Sequence, residues 1–200
     1  MSAEDRRASI VEAAYALMAE RGLEGFRVRE AAKRAQINHA TLLHYFPSRD
    51  ALVEAVLVHV LWQFRMEGAP HETEPAIQRL RIEFQDLGRR AARDPAFFRV
   101  LGEFASRAHR DPVVAEGLHR MFHAWATHLG DLMMTAIAEG ALRRDLDVTK
   151  AVEAVMVGFR GVAARAADPE VAPATVEDTA DALWRQFRAW AGMSGSGDAL

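Results

Sequence analysis

A short neutral segment near the N-terminus carries side chains that could read DNA bases. Seven of its residues would be shared between the bases and the phosphates of a groove: Asn38, His39, Ala40, Thr41, Leu43, His44 and Tyr45. Thr41 can hydrogen-bond a base edge or place its methyl group on thymine, whereas Leu43 can offer only an apolar contact. Ala40 keeps the segment slim enough for close approach. The chemistry expected here is sequence-specific contact with the major groove.

Positive charge surrounds this segment. The cations between residues 26 and 52 are Arg27, Arg29, Lys33, Arg34 and Arg49, and the anions are Glu30 and Asp50. This stretch therefore carries +3, which leaves −6 on the rest of a chain whose net charge is −3. A small positive patch on an acidic body suits one oriented DNA contact. The side chains expected to contact phosphates and set the register are Arg27, Arg29, His44, Tyr45 and Arg49. Lys33 and Arg34 could equally belong to a solvated face.

Two short helices joined by a tight turn must position these side chains. The first is predicted over about residues 28–35, and Asn38 can cap the second because its side chain can accept a free backbone N–H. Pro47 ends the second helix, and Ser48 caps the next. A preceding helix stops at Gly22, which can adopt a left-handed conformation. The positions predicted to face inward are Val28, Ala32, Ile37, Leu42 and Phe46.

The chain as a whole is predicted to be all-α. Half of its 200 residues are apolar, and no alternating strand pattern is present. The absence of cysteine excludes disulfides and thiol chemistry. Without an apolar leader or a membrane-length apolar segment, a soluble, cytoplasmic protein with no membrane contact is expected. Further along, Asp94-Pro95 and Asp111-Pro112 each predict the start of a helix.

The N-terminal motifs together resemble those of the TetR family of transcriptional regulators. They are Ile10-Val-x-Ala-Ala, Gly22-x-x-Gly-Phe, Val28-Arg-x-Ala-Ala, Ile37-Asn-x-Ala-Thr-Leu-x-His-Tyr-Phe and Pro47-Ser-Arg-Asp-Ala-Leu. The resemblance implies a homodimeric, ligand-responsive DNA-binding protein, usually a repressor, with about nine helices. It also implies a three-helix helix-turn-helix DNA-binding domain, here residues 1–50, and a helical ligand-binding and dimerisation domain, here residues 51–192. Residues 193–200 are predicted to form a disordered tail.

Three residues depart from the family pattern. Arg27 stands where threonine is common, which exchanges a capping hydroxyl for a longer cation. Gln36 replaces the usual turn glycine, so the turn must adopt a conformation that another residue tolerates. Leu43 replaces the usual aromatic residue, typically tyrosine. These departures bear on the operator sequence more than on the activity.

The second part of the chain is rich in large apolar side chains that could line an effector pocket. The residues predicted to bind a ligand are Trp62, Met66, Phe84, Phe104, His109, Phe122, Trp125, His128, Met156 and Phe159. Pockets in helical proteins often form between helices, but the same residues could simply fill a core. The expected effector is a small apolar or amphipathic molecule.

Metal binding and catalysis have little support in the sequence. His119 and His123 lie one helical turn apart with Glu116 nearby, but no third histidine stands at a fixed spacing and Arg120 disfavours a cation. There is no nucleophile with a base, no paired carboxylates at a defined spacing and no phosphate loop. We therefore expect no catalytic site, no metal and no cofactor.

The last two predicted helices could pair with those of a second subunit. Leu183, Phe187 and Trp190 form an apolar stripe, although Trp184 lies off it and leaves burial within one subunit as the alternative. The predicted function is a dimeric regulator, most simply a repressor, released from a pseudo-palindromic operator by its effector. The alternatives are a DNA-binding regulator controlled by a protein partner and, much less favoured, a helical enzyme.

Overall fold

The computed structural model describes residues 2–66 and 73–192, with the backbone alone for residues 65 and 66. All regular secondary structure in these residues is helical, which confirms the predicted fold class. The helices are α1 (Ala3–Gly25), α2 (Val28–Arg34), α3 (His39–Tyr45), α4 (Arg49–Met66), α5 (Ala76–Arg93), α6 (Pro95–Ala108), α7 (Pro112–Ala138), α8 (Val148–Ala167) and α9 (Pro173–Trp190). None of the helices in the described ranges has the length and apolar character needed to cross a membrane.

Side-chain caps fix several helix starts where the sequence placed them. The Asn38 side chain accepts from the backbone N–H of Thr41 at 2.7 Å, and Ser48 accepts from Ala51 at 3.0 Å. Asp111 caps α7 by accepting from the N–H groups of Val113 and Val114. The start of α1, which the sequence left open, lies at Ser2, where a reciprocal capping box with Asp5 satisfies two backbone donors.

The described chain divides into two compact units. Within the described residues, the first comprises residues 2–66 and 96–121, and the second comprises residues 73–95 and 122–192. This packing division differs from the functional boundary expected at residue 50, because α4, α6 and the start of α7 belong with the N-terminal helices. The functional boundary remains a prediction, and the predicted tail at 193–200 lies outside the described residues.

Apolar side chains of α1 to α4 form the core of the first unit. Phe26, Leu42 and Phe46 are fully enclosed, as are Ile10 and Leu52. Of the positions predicted to face inward, Ala32, Leu42 and Phe46 are buried, whereas Val28 and Ile37 are half-buried. Isolated helices as short as α2 and α3 are unstable in water, so this burial holds them in place.

Phe84 of α5 lies at the centre of the second unit. Its ring contacts those of Phe159, Trp184 and Phe187, with centroid distances of 4.8, 5.2 and 5.8 Å. Close helix approach supports this cluster, because a Cβ atom placed on Gly88 of α5 would lie 2.9 Å from the Ala180 Cβ of α9. The absence of a side chain at residue 88 therefore sets the spacing of α5 and α9.

One prediction about α9 is wrong. Phe187 was expected to face a second subunit together with Leu183 and Trp190, but it is buried against Phe84 and Trp184. The stripe that faces the core runs through Ala180, Trp184 and Phe187. Leu183 is half-buried and Trp190 is 43% exposed, so of the predicted stripe only the residues flanking Phe187 reach the surface.

The close approach at Gly88 leads to a stability prediction. We expect Gly88→Ala to lower the free energy of unfolding by about 1–3 kcal/mol, because the new methyl group must push α5 away from α9. Gly102→Ala is the matched control, since Gly102 lies in a helix and a methyl group added there would have nothing within 4 Å. It should gain about 0.5–1 kcal/mol from helix propensity. Denaturant unfolding measures both, and equal stability of the two variants would contradict the packing account.

Candidate nucleic-acid interface

The turn between α2 and α3 is built around a residue in the left-handed region. Gln36 has φ +55°, and the following N–H, that of Ile37, donates to the Ala32 carbonyl at 3.0 Å. A residue other than glycine adopts this conformation at a cost of roughly 1 kcal/mol. The turn therefore keeps the geometry that glycine would give it, and α3 begins two residues later at the Asn38 cap.

The same cap limits what Asn38 can do for DNA. Its side-chain oxygen is already the acceptor for the Thr41 N–H. An asparagine that reads adenine needs both its oxygen and its amide N–H groups. The cap uses one of the two lone pairs of that oxygen and fixes the orientation of the amide, so Asn38 can pair with a base only by sharing the same oxygen.

The outer face of α3 is short and mostly neutral. Ala40 and His44 are exposed, and Leu43 has 39% of its surface exposed, which is unusual for an apolar side chain. Thr41 and His39 are half-buried beside them. The ring of His44 meets that of Tyr45 edge-on at 5.6 Å, so these two side chains position one another. These side chains form a continuous surface on α3, made of residues that the sequence predicts to contact DNA.

The arginines before α3 differ in how freely they can reach outward. Arg29 is exposed, and its charge projects from the first turn of α2. Arg27 instead donates to the carbonyls of Glu24 and Phe26 at 2.7 and 3.1 Å. It also supplies no side-chain cap for α2, as expected from its replacement of threonine. Arg34 is paired with Glu20 at 2.7 Å, which favours the solvated-face alternative for that residue.

Arg49 has an internal partner that the sequence did not reveal. Its Nη2 donates to the Leu23 carbonyl at 2.7 Å, and its guanidinium lies 5.8 Å from the centre of the Phe26 ring. Part of its hydrogen-bonding capacity therefore joins the start of α4 to the end of α1. Arg49 remains a candidate phosphate contact, but its loss would also disturb the fold.

The predicted ligand-binding residues are divided between the two compact units. The first unit contains Trp62, Phe104 and His109, and the second contains Phe84, Phe122, Trp125, His128, Met156 and Phe159. Trp62, expected to face inward, is 58% exposed, because it lies on the side of α4 opposite Val56 and Val60. Phe104 is buried and His109 is exposed. Met66 lies outside the described side chains.

Several predicted ligand-binding residues of the second unit meet around a carboxylate. Trp125 stacks on Phe159 with centroids 4.7 Å apart, and its indole Nε1 donates to Glu83 at 2.9 Å. The other carboxylate oxygen lies 3.1 Å from His128 Nε2. Sequence reasoning missed Glu83, since its partners are more than 40 residues away along the chain. An ionisable group thus adjoins the aromatic cluster.

The electrostatics of this group favour an ionised carboxylate. Burial raises the pKa of Glu83, but the hydrogen bonds from His128 and Trp125, together with the positive charges of His128 and Arg79, outweigh burial and lower that pKa. The hydrogen bond to Glu83 raises the pKa of His128 above its ordinary value, with partial burial opposing the change. Nearby, the Arg160 guanidinium lies 5.4 Å from the centre of the Phe122 ring. Among the described residues, no group of three His, Asp or Glu side chains could hold a metal ion.

Comparison with known proteins identifies relatives of the N-terminal part. Residues 10–56 match the model of the bacterial regulatory proteins of the tetR family. Over 57 residues the chain is 40% identical to an HTH-type transcriptional repressor of Mycobacterium tuberculosis. That match covers 28% of this chain and 30% of the relative, so the likeness in sequence spans less than a third of either protein.

Comparison with solved structures extends over nearly the whole chain. A TetR transcription regulator from Haloarcula marismortui has a TM-score of 0.79 and 18% identity, covering 94% of this chain and 97% of that one. A protein from Saccharomonospora viridis, solved in complex with choline, has a TM-score of 0.77 and 19% identity, with coverages of 91% and 96%. At these identities the likeness establishes the fold.

Proposed function

We propose that this chain, which belongs to the TetR family of bacterial regulatory proteins, is a homodimeric, effector-responsive transcriptional repressor of the cytoplasm. The observation that carries the proposal is α3 itself. Its cap, its turn and the buried Leu42 and Phe46 hold a short neutral face toward solvent, with the exposed Arg29 nearby. The regulatory relatives named above lend no support to the enzyme alternative.

Recognition would combine contacts to phosphates with contacts to base edges. Arg29 would neutralise a phosphate and, with His44, set the register, while Thr41 and Leu43 would contact base edges. In a two-fold dimer the two copies of α3 would enter successive major grooves about 34–36 Å apart, which requires a pseudo-palindromic operator. An effector would release the operator by binding more tightly to a conformation that cannot bind DNA.

Two substitutions separate phosphate contact from base reading. Arg29→Ala should weaken binding to all DNA sequences alike and reduce the salt dependence of binding by about one charge. Thr41→Ala should change the base preference at one operator position and leave the salt dependence of binding unchanged. Arg29 is preferred to Arg49 here because Arg49 also bonds Leu23. Arg144→Ala, at an exposed arginine between α7 and α8, is the matched control. Salt titrations and selection from random DNA supply the data, and a sequence-selective loss for Arg29→Ala would contradict the division.

The dimer would form through the outer faces of α8 and α9. Val157 of α8 is 61% exposed, and the exposed Gly161, one helical turn further along, has nothing within 4 Å of a Cβ position and leaves room for another helix to approach. Trp190 of α9 adds a large half-exposed apolar surface. An exposed apolar surface with an open glycine beside it supports pairing with a second copy.

We expect Val157→Asp to convert the dimer to a monomer at micromolar concentration, because each subunit would bring an unpaired carboxylate into the interface. Val113→Asp is the matched control, since Val113 is equally exposed, at 59%, on the first turn of α7. Sedimentation velocity distinguishes the two outcomes. A wild-type monomer, or a Val157→Asp dimer as tight as wild type, would refute the proposed interface.

The group around Glu83 supports an amphipathic effector with a cationic end. An ionised carboxylate attracts cations, and the adjoining aromatic cluster suits an apolar body. Choline combines these properties and is the molecule present in the structure of the Saccharomonospora viridis protein. It is therefore a suitable first probe.

Calorimetric titration can test the effector class. Choline should bind, its uncharged carbon isostere dimethylbutanol should bind at least about tenfold more weakly, and Glu83→Gln should remove the difference. Glu153→Gln, at an exposed position of α8, should behave as wild type. Equal binding of the two probes, or no binding of choline, would exclude the cationic class. If no small molecule alters operator affinity, the alternative of control by a protein partner is favoured.

A further inference from the structure

Helix α1 is interrupted at Gly22, and the interruption is held by side chains of α6. Gly22 has φ +69° and ψ 171°, which is outside the helical region. In a continuous α-helix the N–H of Leu23 would donate to the carbonyl of Ala19, four residues earlier. Instead, Glu103 Oε2 accepts from the Leu23 N–H at 2.9 Å, and Arg99 Nε donates to the Ala19 carbonyl at 3.1 Å. The donor and the acceptor of this missing helical hydrogen bond therefore each have a partner on α6.

The shape of the contact matches its hydrogen bonds. A Cβ atom on Gly22 would lie 3.0 Å from Glu103 Oε1, and the left-handed backbone is one that other residues rarely adopt. Glycine therefore serves two purposes, because it permits the interruption and leaves space for the carboxylate. Arg99 and Glu103 lie four residues apart on α6 and so project from the same face of that helix.

The same backbone position is joined to the start of α4. The Leu23 carbonyl accepts from Arg49, and Asp50 receives a weaker contact from Arg107 of α6 at 3.2 Å. The reading pair α2–α3 begins five residues after Leu23, at Val28, and ends four residues before Arg49, at Tyr45. Both chain connections of the reading pair are therefore held by one group of hydrogen bonds, beside an open cleft of about 270 Å³ lined in part by Glu24, Ser106 and Arg110.

We infer that Glu103 and Arg99 are positioning residues through which α6 holds the reading pair in its DNA-binding orientation. The inference rests on the proposed DNA-binding function. If α6 moves away, the Leu23 N–H and the Ala19 carbonyl lose their partners and can form a hydrogen bond with each other. That bond makes α1 continuous and moves the start of α2. Helix α6 follows α5 of the second unit after Asp94 alone, so the path along the chain from that unit to Glu103 is short.

Glu103→Ala and Glu103→Gln test this role. The alanine variant removes the acceptor and should weaken operator binding roughly tenfold through a smaller binding-competent fraction. Its salt dependence and base preference should not change, since no DNA contact is lost. The glutamine variant keeps an acceptor oxygen and should restore most of the affinity. Ser106→Ala is the control, because Ser106 is an exposed residue that lines the same cleft.

Hydrogen exchange of the Leu23 amide provides a readout that needs no DNA. Glu103→Ala should accelerate it, and Glu103→Gln should accelerate it much less. Unchanged exchange in Glu103→Ala would overturn the contact, and faster exchange with unchanged operator affinity would overturn its positioning role. If wild-type protein binds no DNA, the regulator proposal fails, and the exchange data alone decide whether α6 holds the interruption in α1.

Discussion

Two hydrogen bonds at Leu23 hold the chain that leads into α2 and α3, on which the proposed DNA recognition depends. Its N–H donates to Glu103 of α6, and its carbonyl accepts from Arg49 of α4. Both bonds involve a charged partner, which makes them stronger than neutral hydrogen bonds. Gly22 makes the first of them possible, because only an interrupted helix leaves the Leu23 N–H for another partner. Three helices that are distant in sequence are thereby joined at one residue, immediately before the reading pair.

The reading pair needs such external support because it is small. Helices α2 and α3 have seven residues each, too few to be stable alone. Three kinds of contact stabilise them. Leu42 and Phe46 are buried, and Asn38 caps α3. Two exposed ion pairs link α2 to α1, namely Arg21–Glu30 and Arg34–Glu20. The exposed ion pairs contribute little, so packing and capping carry the stability. The outer face of α3 is consequently left exposed to solvent, where the proposed DNA contact would be made.

Features set by neighbouring residues could be predicted from the sequence, and features set by distant partners could not. The caps at Asn38, Ser48 and Asp111 involve residues two or three positions apart, so local pattern was sufficient. The partners of Arg49 and Glu103 lie 26 and 80 residues away, and no local pattern reveals them. The error on α9 has a different cause. Positions 180, 184 and 187 and positions 183, 187 and 190 have the same helical spacing, so periodicity alone cannot decide which stripe faces the core.

Selection of DNA fragments from the source organism's genome with the wild-type protein tests the central claim most directly. A dimer that reads bases with α3 should enrich one pseudo-palindromic motif, with half-sites one helical turn apart, about 10–10.5 base pairs, or a multiple of that spacing. The enrichment should persist as salt is raised toward physiological strength. Recovery of fragments that share no motif, or binding that disappears uniformly with salt, would contradict sequence-specific recognition.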